Sequence, residues 1–399
     1  MIMDKSILNS IGGISSKSAE EWGRGWDDSQ KSYPEDGVYF LQEEYLREVA
    51  EVTRLRAEAR PAFFESGEKM RNSEALSRLA WHCHWLAHLT KREERNGVPF
   101  HSNDPSSRAP EGCTFFMGIV IMADLPRLKA YYQSRGIPFS ILSDTMTSFD
   151  VWAEDYHDHK GVWGCDHVWV CQGIIPNLFR LGRLEFQFAE YHGTFTVYRR
   201  KGARTLVVFA PDGAKITDSG YFCQKDQSPD FIATLKEDAN SITGYPANPD
   251  GRFAYKPVTL DFAEWEPAFV AGDPMICVHI PAAAPLEAEL TTRSFDMARD
   301  FFAKYFPLFK FKGFQCGSWL LDSSLPIFIP ETSNIVQFQR NFTLFPQSDG
   351  TEWQTRERVF GDPDLPLDKV PQRTSLQRIV KQQMLAGHRF RSGSGFILR

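Results

Sequence analysis

The chain has 399 residues, of which 42% are hydrophobic, 24% charged and 14% aromatic, a composition typical of folded rather than disordered proteins. Its net charge of -6 and pI near 6.0 argue against a nucleic-acid partner held by phosphate contacts. This length favours two domains, and no stretch approaches the roughly 18 apolar residues that a membrane span requires.

The N-terminal part of the chain is predicted to be helical. Apolar residues recur at helical spacing among charges in 37–70 and again in 73–94. A loop dense in turn-forming residues follows at 96–112. Residues 113–138 then predict a buried strand and a short helix, and Ser143 is predicted to cap a further helix.

The pattern changes near Gly173. Residues 181–211 alternate between polar and apolar side chains, with turns at Gly193 and Gly202, which predicts an antiparallel meander. A loop-rich stretch from Asp212 to Asp273 follows. The remaining predicted elements, in order, are a strand at 275–280, a helix at 291–307, a strand at 313–322, a helix at 333–342, a strand at 343–346 and a helix at 375–387.

This order predicts an α/β fold (α+β with a mixed sheet) that carries a helical N-terminal extension. Four regions are expected: a helical segment at 1–110, the remainder of an N-terminal domain at 111–175, a C-terminal domain at 176–346, and a polar tail with a terminal helix at 347–399.

His279 and Asp322 each lie at the end of a predicted central strand. One helix joins the two strands, so they are expected to run in parallel and to end at the same edge of the sheet. A neutral imidazole can take a proton from an attacking amine, and a carboxylate can fix its tautomer. We therefore predict that His279 is a general base, oriented by Asp322. The alternative is a core histidine with a satisfied hydrogen bond.

The loop after His279 is made of very small side chains. In "IPAAAP", Ile280, Ala282, Ala283 and Ala284 would let a cofactor approach the backbone closely, and an ordinary turn is the alternative. These four residues are therefore candidate cofactor-binding positions.

Several blocks of the sequence resemble one acyltransferase family. "VHIPAAAPL", "SFDMARDFFAKYFP", "SWLLD", "SNIVQFQRNF" and "LGRLEFQF" are similar to its GNAT-like C-terminal domain. "FFMGIVIMADLPRLKAYYQSRGIP", "LSDTMTSFDVW" and "WVCQG" are similar to its N-acyltransferase N-terminal domain. The family includes the glycopeptide-antibiotic N-acyltransferases of the teicoplanin type.

The resemblance implies a fold of two GNAT-like domains and the transfer of an acyl group from acyl-CoA to an amine-bearing small molecule. Acyl-CoA would be a co-substrate, with no tightly bound cofactor. The family's histidine base falls on His279, and its "SWLLD" block falls on Ser318, Trp319 and Asp322. Backbone N–H groups of the "IPAAAP" strand would stabilise the oxyanion.

The coenzyme A phosphates are expected at a helix N-terminus near Thr292 and Ser294, helped by Arg293. The chain departs from the usual pattern here, because "IPAAAPLEAEL" lacks the Gly-rich Q/R-x-x-G-x-G/A loop. A non-catalytic binding module on a degenerate GNAT fold is therefore the main alternative function.

A metal-dependent hydrolase is a further alternative. His84 and His88 are one helical turn apart, next to His82, but no HExxH glutamate accompanies them and a packing helix is favoured. "DYHDHKG" at 155–161 is interpreted as a solvated helix end. No metal is expected.

The seven scattered cysteines are an odd number, which is typical of reduced thiols. The start of the sequence lacks the apolar core of a signal peptide, so a cytoplasmic location is expected. Cys277 and Cys316 are interpreted as small buried hydrophobes, with an acyl-accepting thiol as the alternative.

Overall fold

The computed structural model describes residues 8, 11–15, 19–20, 23–89, 108–167, 169–282, 284–348 and 351–399. The chain forms two compact units, one of Met1–Leu181 with Pro281–Ala283 and the other of Gly182–Ile280 with Ala284–Arg399. None of the described helices combines the length and the apolar character needed to cross a membrane.

The first unit is helical in its described part. Single turns of other helix types occur at Tyr39–Leu41, Trp85–Leu89 and Pro110–Gly112. Its α-helices are α1 (Trp26–Lys31), α2 (Glu43–Val52), α3 (Arg60–Asn72), α4 (Glu74–His84), α5 (Phe116–Met122), α6 (Leu125–Ser134), α7 (Phe139–Met146), α8 (Ser148–Lys160) and α9 (Val170–Ile174), and the strand β1 (Leu178–Leu181) follows.

Two local predictions in this unit are wrong. Residues 116–122 form α5 and not a strand, and all seven side chains are buried. An apolar run that is buried on every side has no polar positions to reveal its period, so the pattern cannot distinguish the two structures. Ser143 lies inside α7 and caps no helix, because its hydroxyl donates to the carbonyl oxygen of Val52 at 2.8 Å.

The second unit contains the mixed sheet that the sequence predicted. Within this unit the sheet order is β2, β11, β12, β14, β13. These strands are β2 (Leu184–Glu190), β11 (Pro274–His279), β12 (Gly313–Ser318), β13 (Thr343–Pro346) and β14 (Gly393–Leu398). β11 and β12 are parallel, which confirms the expectation from the strand–helix–strand order, and the other neighbouring pairs are antiparallel.

The predicted meander divides between two sheets. β3 (Thr196–Arg200) and β4 (Leu206–Phe209) form the expected hairpin, but β2 pairs with β11 instead. The stretch 212–273 contains strands that the prediction assigned to loop. They are β5 (Lys215–Ile216), β6 (Phe231–Ile232), β7 (Lys236–Glu237), β8 (Ser241–Gly244), β9 (Val258–Asp261) and β10 (Trp265–Phe269). Most are too short to show alternation.

One long helix covers the apolar face of the sheet. α10 (Ala288–Tyr305) connects β11 to β12 and packs its phenylalanines against strand β2. The ring centroids of Phe186 and Phe295 are 5.9 Å apart, and those of Phe188 and Phe302 are 5.2 Å apart. Because side chains alternate along a strand, residues 185 and 187 lie on the opposite face.

The segment 347–399 is part of the second unit and not a separate tail. β14 lies between β12 and β13 in the sheet. The remaining short helices of the unit are α11 (Leu325–Phe328), α12 (Asn334–Gln339), α13 (Trp353–Phe360) and α14 (Ser375–Leu385). Buried side chains of α11, α13 and α14 share one hydrophobic cluster, which anchors the segment.

Candidate active site

His279 is the last residue of β11, at the edge of the sheet where parallel strands β11 and β12 end. Its register partner on β2 is Glu185, and Cys277 is opposite Gln187. These four side chains therefore lie on the same face of the two strands. His279 is partly buried and Glu185 is only 2% exposed, so both side chains are largely shielded from solvent.

The imidazole of His279 has a defined hydrogen bond. Its Nε2 lies 2.8 Å from the side-chain oxygen Oε1 of Gln187. An amide oxygen only accepts, so Nε2 carries the hydrogen and the lone pair of the neutral ring is on Nδ1. Burial lowers the pKa of His279 to about 4, which keeps the ring neutral at physiological pH.

This depressed pKa predicts loss of stability in acid. The pKa of His279 is 6.5 when unfolded and about 4 when folded, so between these values only the unfolded chain takes up the proton. The stabilising effect is complete above pH 6.5 and is lost as the pH falls toward 4, by about 1.4 kcal/mol per pH unit. Urea unfolding between pH 7 and pH 4 should show a shallower pH dependence in His279→Gln than in the wild type. Equal slopes would contradict the expectation.

The structure does not bring Asp322 to His279. β12 ends at Ser318, and a 3₁₀ turn (Trp319–Leu321) carries the chain away before Asp322 is reached. The carboxylate of Asp322 accepts hydrogen bonds from the backbone N–H and hydroxyl of Ser324, at 2.8 and 2.7 Å, and from the N–H of Arg391 at 2.6 Å. Its described contacts therefore connect two distant segments of the chain, and none of them is with His279.

Burial is the main influence on the ionisation of Asp322. It raises the pKa of the carboxyl, while the donors from Ser324 and Arg391 act in the opposite direction. The hydroxyl of Ser324 also accepts from Nε2 of His388, at 2.9 Å. Asp322 thus lies at the centre of a buried hydrogen-bond network, which is the arrangement expected of a structural carboxylate.

The ladder between β11 and β12 ends before His279. Their ladder consists of the pairs Ile276↔Phe314 and Cys277↔Gln315 among the described residues, although both strands continue beyond it. Strand edges that continue past a ladder present backbone N–H and C=O groups that a ligand can bind. The last ladder pair therefore lies two residues before His279, at Cys277.

A buried arginine donates hydrogen bonds to the backbone of the loop after His279. Arg183, which is 7% exposed, donates from Nε to the carbonyl oxygen of Pro285 at 2.9 Å, and its guanidinium also donates to that of Ala284. The backbone N–H of Arg183 donates to Oγ of Ser294 at 2.7 Å. Gly182 has a positive φ, and a Cβ there would lie 2.9 Å from that oxygen, so this turn requires glycine.

The other predicted loop positions differ in exposure. Ile280 is partly buried, and Ala282 and Ala284 are exposed. Ala283 lies outside the described residues. The exposed alanines allow close approach of a ligand to the loop backbone.

The predicted phosphate-binding helix terminus is displaced. α10 begins at Ala288, so Thr292 and Ser294 lie in its second turn and not at its N-terminus. The hydroxyl of Ser294 is already engaged, because it accepts from Arg183 and donates to the carbonyl oxygen of Leu290. Arg293 is exposed on the same turn.

Ser318 and Trp319 make structural contacts. The hydroxyl of Ser318 caps the 3₁₀ turn by accepting from the N–H of Leu320 at 3.2 Å. The N–H of Trp319 donates to Oε1 of Gln354 at 2.7 Å, and its indole packs against the hydrophobic cluster of the C-terminal segment. Neither contact involves His279.

The alternative chemistries gain no support. Nδ1 of His82 is 2.7 Å from Oγ of Ser29, and His84 is buried among aromatic rings. The side chain of His88 lies outside the described residues. Within the described ranges, no three metal-ligating side chains come together.

The two strand cysteines are poor nucleophiles in this structure. Burial raises the pKa of the Cys277 thiol to about 11, and burial likewise raises that of Cys316. Both thiols are therefore protonated at neutral pH, whereas an acyl-accepting cysteine needs a populated thiolate.

Gln187 belongs to the block "LGRLEFQF" and is not among the site residues predicted from the sequence. The polar residues 183, 185 and 187 of this block recur with period two, which places them on one face of a strand. That pattern was available from the sequence. The local pattern does not show the pairing partner, because Gln187 and His279 are 92 residues apart in the chain.

Comparison with known proteins gives two domain matches. Residues 178–397, more than half of the chain, match the GNAT-like C-terminal domain. Residues 44–171 match the N-acyltransferase N-terminal domain. No curated protein is significantly similar to the chain in sequence.

Solved structures with the same fold cover both domains. An acyltransferase in complex with decanoyl-CoA and teicoplanin is 20% identical, with 99% of each chain covered and a TM-score of 0.62. An acyltransferase in complex with CoA and 10C-teicoplanin is 19% identical, with 99% of each chain covered and a TM-score of 0.63. One in complex with decanoyl-CoA is 20% identical, with full coverage of both chains and a TM-score of 0.62.

Proposed function

The chain belongs to the acyltransferase family that joins an N-acyltransferase N-terminal domain to a GNAT-like C-terminal domain, as its sequence blocks predicted, and from this premise we propose its reaction. The protein transfers an acyl group from acyl-CoA to the amine of a small-molecule acceptor. His279 is the general base, and the acceptor amine attacks the thioester directly.

The reaction needs one proton acceptor at the site of attack. The amine nitrogen attacks the thioester carbonyl carbon, and the C–N bond forms as the carbonyl becomes an oxyanion. Nδ1 of His279 takes the proton from the nitrogen. When the tetrahedral intermediate collapses, the C–S bond breaks and the coenzyme A thiolate leaves, taking the proton back from the imidazolium.

The observation that carries the proposal is the position and state of His279. It is a neutral imidazole with a fixed hydrogen bond, at the end of a strand and just past the last ladder pair of β11 and β12. Backbone N–H groups at the strand ends can stabilise the oxyanion, a contribution worth about 3 kcal/mol per donor in acyl transfer.

The test is direct. Isothermal titration with decanoyl-CoA should show binding to the purified protein, and thiol release should depend on an added amine. Binding without thiol release across a panel of amines would favour the non-catalytic module. That rival is supported by the missing Gly-rich loop, and absence of acyl-CoA binding by folded protein would exclude the transferase.

The chemical class of the acceptor is inferred from the proposed reaction and not from the ligands of the similar structures. Two of the similar structures contain teicoplanin-type molecules. In the present chain the proposed acceptor is an unprotonated amine, because its lone pair attacks the thioester while the neutral imidazole takes its proton. A panel should therefore compare amino sugars, including glycopeptide-linked ones, with simple alkylamines.

Arg183 should affect binding of acyl-CoA more than the chemical step. Arg183→Met removes the donors to Ala284 and Pro285, so the loop after His279 loses its fixed course. We expect KM for acyl-CoA to rise about tenfold, with kcat within about threefold of wild type. Steady-state kinetics with decanoyl-CoA measure both quantities.

Arg204→Met is the matched control, because Arg204 is an exposed arginine of the same unit, outside this loop. It should leave KM unchanged. A fall in kcat without a rise in KM in Arg183→Met would contradict a role in holding the loop.

A further inference from the structure

Gln187 lies beside the proposed base and has no assigned role. We propose that Gln187 is a positioning residue that holds His279 as the Nε2–H tautomer, so that Nδ1 is the nitrogen that takes the proton. This inference rests on the proposed function, since it names the residue that prepares the base of that same site.

The geometry fixes Gln187 relative to His279. β2 and β11 pair continuously from Pro274↔Glu190 to His279↔Glu185, and Gln187 is therefore diagonal to His279 on the same face. Register in a continuous antiparallel ladder is rigid, which sets the 2.8 Å hydrogen bond without loop movement. A side chain on a rigid strand is well suited to hold a ring orientation.

An amide partner has a consequence that a carboxylate would not have. The Gln187 oxygen accepts from Nε2–H at every pH, but it adds no negative charge to stabilise the imidazolium. The ring is therefore fixed in orientation while it stays neutral. A carboxylate in the same place would fix the tautomer and also raise the pKa of the histidine.

Other ionisable groups face the same site. The carboxylate of Glu185 is opposite His279 in the register, and the thiol of Cys277 is two residues before it on β11. Arg183 precedes both on β2 and binds the loop that follows His279. Substitution of Gln187 changes none of these three side chains, so its variants differ from the wild type at position 187 alone.

The experiment compares Gln187→Leu with Gln187→Glu in the full chain. In Gln187→Leu, kcat should fall about tenfold while KM for decanoyl-CoA changes less than about twofold. Gln187→Glu restores an acceptor and should recover most of kcat, with the acid limb of the pH profile moved to higher pH. Gln382→Leu, at an exposed position on α14, is the matched control and should keep the wild-type kcat.

Nitrogen NMR of histidine-labelled protein gives a readout that does not depend on turnover. The His279 signal, identified by its absence in His279→Ala, should show protonated Nε2 and unprotonated Nδ1 in the wild type, and a mixture of tautomers in Gln187→Leu. An Nδ1–H tautomer in the wild type, or unchanged tautomer and kcat in Gln187→Leu, would overturn the inference.

The variants of His279 and Gln187 separate a wrong base from a wrong positioning residue. If His279→Ala is inactive and Gln187→Leu is fully active, the histidine is the base and the positioning role of Gln187 is wrong. If His279→Ala itself retains full activity, the proposed base is wrong, whatever tautomer the NMR spectrum shows.

Discussion

His279→Ala is expected to slow acyl transfer by about a hundredfold or more, equivalent to at least about 2.7 kcal/mol in the activation free energy. His279 is the proposed proton acceptor, so its removal leaves the attacking amine without that base. Binding of acyl-CoA should persist, because the loop contacts of Arg183 do not involve the imidazole. Single-turnover thiol release and calorimetric binding on the same preparation measure the two effects.

The matched control is His192→Ala. His192 is an exposed histidine just after β2, outside the candidate site, and its loss should change neither turnover nor binding. Turnover that survives unchanged in His279→Ala would make His279 a structural residue. The fold assignment would stand in that case, since it rests on the sheet and the domain matches.

Asp322→Ala is expected to destabilise the protein by about 3 kcal/mol. The carboxylate is 2% exposed and satisfies three donors, two from Ser324 and one from Arg391, and its removal leaves the two backbone N–H donors without their acceptor. The side chain of Arg391 also packs on a neighbouring ring, since its guanidinium carbon lies 4.5 Å from the centre of the Tyr221 ring. Thermal or urea unfolding measures the loss.

The same variant separates the structural role from the orienting role predicted from the sequence. Asp322→Asn keeps the shape and should lower stability while the pH profile of turnover keeps its wild-type form. Unchanged stability with a displaced pH profile would instead support an orienting role for Asp322. Asp226→Ala, at an exposed turn of the same unit, should change stability by less than about 0.5 kcal/mol.

Local patterns were sufficient where an element has a long, clear period. The helical spacing before residue 90 and the strand–helix–strand order around α10 predicted element types that the structure contains, with the two strands in parallel. The short strands between residues 215 and 261 were missed, since strands of two to four residues carry little alternation. The fully buried α5 was predicted to be a strand, because an entirely apolar run has no polar positions that reveal its period.

The sequence also placed His279 at the end of a central strand, and it carried the polar alternation of residues 183, 185 and 187. Which of these groups meet was decided by tertiary structure. Gln187 and His279 are 92 residues apart and are joined by register, while Asp322 is turned toward Ser324 and Arg391 by a single 3₁₀ turn. Local periodicity specifies the face of an element, but hydrogen-bond partners depend on strand pairing between distant segments, which no local pattern encodes.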